Sequence, residues 1–176
     1  SKLMALYADC FDGDGLQVAQ LLLTHGDIDS RSRSENVRGT LNCILERGNV
    51  VPIINENDSV ATEELKFGDN DRLSAEVAIL AEADLLMLLT SVEGLLDAKG
   101  RRIEQVIDAE SVMGLARVDK GRLSVGGMVS KLQAVKRAVD SGVTTVIGGG
   151  RNAGQIAAIA AGKNAGTRFL VAGRGV

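Results

Sequence analysis

Short continuous apolar runs alternate along the chain with stretches whose apolar residues recur at helical spacing. Val18 to Leu23, Val50 to Ile54, Leu85 to Leu89, Thr144 to Ile147 and Thr167 to Val171 are runs of strand length bounded by turn residues. Val50 to Ile54 is continuous and β-branched, as strands covered on both faces are. Between the runs, apolar positions step by three or four. Met4 to Phe11 reads as a helix ended by Asp12-Gly13-Asp14-Gly15. Ser34 is placed to cap a second helix, with Val37, Leu41, Ile44 and Leu45 on one face and Gly48 as its stop. A third starts near Asp71, with Leu73, Val77, Leu80 and Ala81 sharing a face and Asp69 and Asn70 where caps belong. Gly126-Gly127 opens a fourth that buries Met128, Leu132, Val135 and Val139, and Gln155 to Ala161 forms the last. Two stretches are less regular. Asn55 to Asp69 is polar, with a hairpin expected around Val60 and Leu65; Gly94 to Leu123 holds an Ile103 to Ile107 segment and a short helix near Val112.

Strands separated by helical patterns form βαβ units. The expected fold is α/β: one domain with a mostly parallel sheet and helices on both faces, a three-layer αβα sandwich. Ligands of such sheets bind beyond the carboxyl ends of the strands, which singles out the loops after Ile54, Leu89 and Leu123.

Composition narrows the chemistry. The chain has 176 residues and a net charge of -3, without the basic stripe that a nucleic-acid grip needs. Aromatic residues are 2 %, too few for base-stacking platforms. No apolar run approaches the length of a membrane span, and Ser1 is not followed by a leader pattern, so a cytoplasmic protein is expected. Cys10 and Cys43 lack metal-ligand spacing and are expected to be buried thiols in a reducing compartment. A single histidine, His25, argues against a histidine-based zinc site or triad. Asp9, Asp12 and Asp14 lack the rest of a calcium loop, so no protein-held metal is expected.

Three clusters can carry chemistry. Asn55-Glu56-Asn57-Asp58 follows a buried strand and presents carboxylate and amide heads that suit an ammonium or carboxylate ligand. Gly68-Asp69-Asn70-Asp71 stands at the start of a helix, and the two clusters bracket one irregular loop, Ser59 to Phe67. Each alone is also what a solvated turn or an ordinary cap looks like. The third cluster is Val125-Gly126-Gly127-Met128-Val129-Ser130-Lys131. Paired glycines before a helix allow backbone N–H groups to face an anion, and Lys131, one turn on, can lean back toward it. Gly148-Gly149-Gly150-Arg151-Asn152-Ala153 mimics a dinucleotide fingerprint. No acidic residue ends the next strand, so it is read as a tight turn.

Together these stretches resemble the glutamate 5-kinase branch of the amino acid kinase family. The likeness is carried by Val51-Pro-Ile-Ile-Asn-Glu-Asn-Asp58, Lys66-Phe-Gly-Asp-Asn-Asp71 with Leu73-Ser-Ala75, Leu88-Leu-Thr90, Glu93-Gly-Leu95, and Gly126-Gly-Met128 followed by Lys131-Leu-Gln-Ala134. It runs from about Ser1 to Val171. The resemblance implies ATP- and Mg²⁺-dependent phosphorylation of the γ-carboxylate of L-glutamate, the first step of proline biosynthesis. It implies that Asp58 and Asn70, with Asn55, Glu56, Asn57 and Asp69, bind glutamate. Thr90 and Ser91 match a nucleotide-binding pair, and Val125, Gly126, Gly127, Met128, Val129, Ser130 and Lys131 match an ATP-phosphate loop. Lys131 matches a lysine that stabilises the moving phosphoryl group, and Asp71 matches an acid that organises the catalytic lysines. It further implies a homo-oligomer and proline as a feedback ligand, with the Ser59 to Phe67 loop as the place to look.

The family pattern is not matched throughout. Its opening strand, Gly-rich loop and first phosphate-binding lysine have no counterpart, so the expectation is a kinase domain without its N-terminal third. No RNA-binding-like C-terminal domain is expected either. Ser91 stands where the family has Asp, and Val125 where it has Thr. Two other readings stay open on the sequence: a degenerate homologue that binds glutamate, proline or nucleotide without turnover, and a kinase for another small acid.

Overall fold

A computed structural model describes residues 1–57, 69–115 and 125–172. Asp58, the Ser59 to Phe67 loop with its expected hairpin, residues 116–124 and the side chains of Asp69, Val125 and Gly126 lie outside the described residues. The chain divides into two compact units, Ser1–Lys66 and Phe67–Val176.

The first unit is built on one βαβ crossover. Helix α1 (Lys2–Asp12) is capped by the Ser1 hydroxyl, which accepts from the Met4 N–H at 3.3 Å. Strand β1 (Gln17–Leu23) leads into α2 (His25–Asp29) and α3 (Arg31–Leu45), and β2 (Val50–Glu56) returns parallel to β1. The register runs from Gln17 opposite Val50 to Leu23 opposite Glu56. Leu23, Val37 and Leu41 are buried.

Three readings of this unit need correction. His25-Gly26-Asp27 is not a bare turn but the first turn of α2. Thr24 and Asp27 form a capping box there, with the Asp27 carboxylate accepting from the Thr24 N–H at 2.8 Å. The chain re-enters helix at once, so α3 starts at Arg31 behind Ser30; Ser34 lies inside it, its hydroxyl donating to the Arg31 carbonyl at 2.9 Å. Cys10 and Cys43 are exposed rather than buried. Helix α1 buries none of its residues, and Cys43, two positions past Leu41, points away from the α3 face that Leu41 buries.

The second unit holds a sheet in the order β3-β5-β6-β4. Its elements are α4 (Asp69–Leu80), β3 (Leu85–Thr90), β4 (Gln105–Val106), a 3-10 turn (Ala109–Val112), α5 (Val125–Asp140), β5 (Thr144–Gly149), α6 (Gln155–Ala160) and β6 (Thr167–Phe169). β3 pairs parallel with β5 and β4 with β6, while β5 and β6 run antiparallel. The expectation of mostly parallel pairing therefore holds for two of the three pairings. Strand alternation sorts the faces. Ile147 and Phe169 pack with Leu86, Leu88 and the α4–α5 pair on one side. On the other side of β5 lie Val146, Gly148 and the buried Ile159 of α6. Helices thus cover both faces of this sheet, as expected.

Helix α4 buries Leu73 and Leu80, as their spacing suggests, but the stripe is wider than the leucines alone. Ala75 and Ala78 enter the core cluster with Leu132, Ala134, Val135 and Ala138 of α5, and Val77 stays half-buried. Small residues on both helices let the backbones approach closely. The Ile103 to Ile107 segment shrinks to a two-residue strand; Ile107 is 73 % exposed, Val106 is buried, and Ile103 packs partly buried against the core from outside the strand. The last strand likewise stops at Phe169 rather than Val171.

Candidate functional site

Chain direction gathers the polar clusters of the second unit at one edge. α4 runs back along the sheet before β3, and α5 before β5, and β3 and β5 are parallel. The amino ends of both helices therefore lie toward the carboxyl ends of β3 and β5. This edge carries Asp69, Asn70 and Asp71, then Thr90 and Ser91, then Val125 to Lys131. It is also where open α/β sheets bind ligands.

Within that edge, Asp71, Ser130 and Lys131 meet across the seam between α4 and α5. The Lys131 ammonium donates to the Asp71 carboxylate at 3.1 Å (Oδ1) and 3.2 Å (Oδ2). The Ser130 hydroxyl donates to Asp71 Oδ2 at 2.7 Å. Both charged side chains are 18 % exposed, enough for a ligand to reach Lys131 and too little for water to screen the pair fully. Five residues further along α4 and six along α5, Arg137 grips Glu76 through Nε at 2.8 Å and Nη2 at 3.1 Å. Those hydrogen bonds raise the Arg137 pKa and fix the register of the two helices.

Helix α5 begins at Val125, so Gly126 and Gly127 belong to its first turn rather than to a loop before it. The first amides of a helix have no partner within it, and its dipole places positive charge there. Those amides face the same end of the helix as Lys131. Asp69 and Asn70 likewise open α4 instead of capping it, and Asn70 is exposed.

Thr90 closes β3 and its carbonyl accepts from the Gly150 N–H at 2.7 Å, which ties the β3 and β5 ends together. Ser91, just beyond, is exposed. The Glu93 carboxylate accepts from the Asn152 side-chain amide at 2.9 Å and lies against Gly149, where a Cβ would come within 2.5 Å of Glu93 Oε1. Gly148 and Gly149 close β5 rather than belonging to a turn, and the expected tight turn is confined to the residues from Gly150 on. Glu93 and Asn152 both sit in motifs visible in the sequence, but no pairing between them was legible there.

In the first unit, Asn55, Glu56 and Asn57 end β2 at its carboxyl edge, with the Asn57 N–H bonded to the Leu23 carbonyl at 2.8 Å. Asn55 is exposed and Glu56 half-buried. His25 Nε2 lies 3.8 Å from Glu56 Oε1, a contact that follows from the register of β1 and β2 and has no local sequence signal. Asp58 falls outside the described residues.

The chain thus carries, at one edge of its second unit, a lysine held by a carboxylate, the amino ends of two helices and a polar strand end, the layout of an α/β protein that takes its ligands at a sheet edge. It belongs to the amino acid kinase family, whose description matches residues 1–149. A glutamate 5-kinase of Nitrosococcus oceani is 45 % identical over 172 residues, covering 94 % of this chain and 46 % of that protein. One of Pelobacter propionicus is 42 % identical over 177 residues, covering 97 % and 47 %. The chain spans about half the length of the curated relatives it matches. Among solved structures, a carbamate kinase of Giardia superposes with a TM-score of 0.62 at 15 % identity, over 96 % of this chain and 68 % of that one. An N-acetylglutamate synthase of Neisseria gonorrhoeae, complexed with coenzyme A and N-acetyl-glutamate, gives 0.62 at 18 % identity over 98 % and 44 %. These likenesses establish the fold.

Proposed function

We propose that this protein is a glutamate 5-kinase, moving the γ-phosphoryl group of ATP to the γ-carboxylate of L-glutamate. The observation that carries the reading is the Asp71–Lys131 pair at the amino end of α5. It stands in a chain whose 42–45 % identical relatives bear that name. A carboxylate oxygen attacks the γ-phosphorus, the bond to the ADP oxygen breaks, and L-glutamyl 5-phosphate and ADP leave. The nucleophile is already ionised at neutral pH, so no general base is needed.

The residues fit the nucleotide. The opening amides of α5 (Val125, Gly126, Gly127, with Met128 and Val129 continuing the turn) receive phosphate oxygens, and Thr90 and Ser91 border the nucleotide. Lys131 places its charge on the transferring group and Asp71 holds the ammonium in place. By its resemblance to the glutamate 5-kinases, the reading assigns glutamate binding to Asn70 and Asp69 in the second unit and, separately, to Asn55, Glu56, Asn57 and Asp58 in the first. Mg²⁺ supplies further neutralising charge. Such an ion would arrive on the nucleotide's phosphates, since Mg²⁺ sites of this kind use few protein ligands. No helix among the described residues is long and apolar enough to cross a membrane, in keeping with a small-molecule kinase of the cytoplasm. Self-association and feedback by proline belong to the same reading.

The test is hydroxamate formation from ATP, Mg²⁺ and hydroxylamine with glutamate, aspartate or N-acetylglutamate as acceptor. Turnover with glutamate above the other two is expected. Preference for another acid, or none, overturns the assignment.

A further inference from the structure

We infer that Ser130 is a positioning residue: its hydroxyl orients the Asp71 carboxylate, and through it the Lys131 ammonium, rather than binding phosphate itself. The inference rests on the phosphoryl-transfer reading of Lys131 and assigns Ser130 a different part in it. Ser130 and Lys131 are adjacent on α5 and both reach one acid on α4, 59 and 60 residues away in sequence. The hydroxyl bond to Oδ2 is 2.7 Å, an ordinary O–H···O length on a single oxygen, whereas the ammonium is shared at 3.1 and 3.2 Å between both oxygens.

Stiffness decides which partner sets the geometry. A lysine carries its charge on a flexible four-carbon stem. A carboxylate rotates over a broad, roughly two-fold well. Serine has a single heavy-atom torsion on a helix whose backbone is anchored by the buried Leu132, Val135 and Ala138. The acid's own backbone is fixed too, because the Ser74 hydroxyl donates to the Asp71 carbonyl at 2.7 Å. With both backbones held, the Ser130 bond fixes the plane of the carboxylate. Without it, the plane is free to turn and the ammonium follows.

The experiment compares wild type, Ser130→Ala and Ser130→Thr by two readouts. In ¹⁵N NMR of the full chain, with the signal assigned through Lys131→Arg, the Lys131 ammonium is expected to show a slowly exchanging cross-peak near neutral pH. Ser130→Ala loses that peak and Ser130→Thr keeps it. A peak absent from wild type, or unchanged in Ser130→Ala, overturns the inference whether or not the protein turns over. In the hydroxamate assay Ser130→Ala lowers kcat about tenfold, with KM for ATP within about twofold, and Ser130→Thr restores kcat. A rise in KM with kcat intact would make Ser130 a phosphate ligand and overturn the positioning role. Wild type that shows the peak but no turnover contradicts the kinase reading and leaves the positioning result standing.

Discussion

The Asp71 carboxylate and the Lys131 ammonium lie 3.1 Å apart across the α4–α5 seam, though 60 residues separate them in the chain. Neither helix places its charge alone. α4 brings its amino end to the sheet edge because β3 follows it, and α5 does the same because β5 follows it. The pairing holds a cation at a helix amino end, where the dipole would otherwise disfavour it.

Asp71→Asn keeps the shape of the acid and removes its charge. Lys131 then loses its anchor while Ser130 keeps a hydrogen-bond partner. Turnover of glutamate is expected to fall about 10²-fold, the scale on which losing a preorganised electrostatic group is felt. KM for glutamate should change far less. Steady-state kinetics at saturating ATP check this.

Gly166 has φ +75, and an added Cβ would strike the Ile147 carbonyl and the Val146 side chain. The carbonyl cannot move aside, because Ile147 is paired with Thr167 between β5 and β6, and Val146 is fully buried. Gly166→Ala is expected to cost about 2–4 kcal/mol, read from urea denaturation.

Asp27 makes the first unit sensitive to acid. The Thr24 hydroxyl and backbone N–H hydrogen-bond its carboxylate, and Arg33 adds attraction, so its pKa is held below the usual value for aspartate. A lowered carboxylate pKa contributes stability that is complete above the unfolded pKa and is lost as pH falls through the folded one. Unfolding midpoints should therefore decline as pH is lowered from 5 toward 2. In Thr24→Ala that decline becomes shallower, and at neutral pH the variant is about 1 kcal/mol less stable.

Glu76 and Arg137 bind bidentately between α4 and α5, yet the Arg137 side chain is 55 % exposed. Solvent screening limits such a pair, so Glu76→Ala is expected to cost only about 0.5 kcal/mol in denaturant titrations. A double-mutant cycle with Arg137→Ala should return a coupling of that size.

Elements whose own residues state their pattern were legible in the sequence. The apolar runs at Val18, Val50, Leu85 and Thr144 all became strands, and Leu132, Val135 and Val139 became the buried side of α5. What the sequence did not disclose depends on partners distant along the chain. Ala75 and Ala78 outrank Val77 as core residues only because α5 lies against them, and α alanine shows no apolar stripe by itself. The short strand Gln105–Val106 exists because Arg168 and Phe169 pair with it. α2 was hidden by Gly26, which reads as a turn until the Thr24–Asp27 capping box is formed. At the candidate site, the link between Asp71 and Lys131 was legible through the resemblance, but the Ser130 hydroxyl on the same carboxylate is a tertiary fact.

The measurement that tests the account most directly is glutamate-dependent hydroxamate formation by wild type and by Lys131→Ala, with folding of the variant checked by its denaturation midpoint. The account predicts turnover by wild type and loss of at least about 10²-fold in the folded variant. Full activity in folded Lys131→Ala would contradict the claim that this lysine, held by Asp71, carries the transferring phosphoryl group.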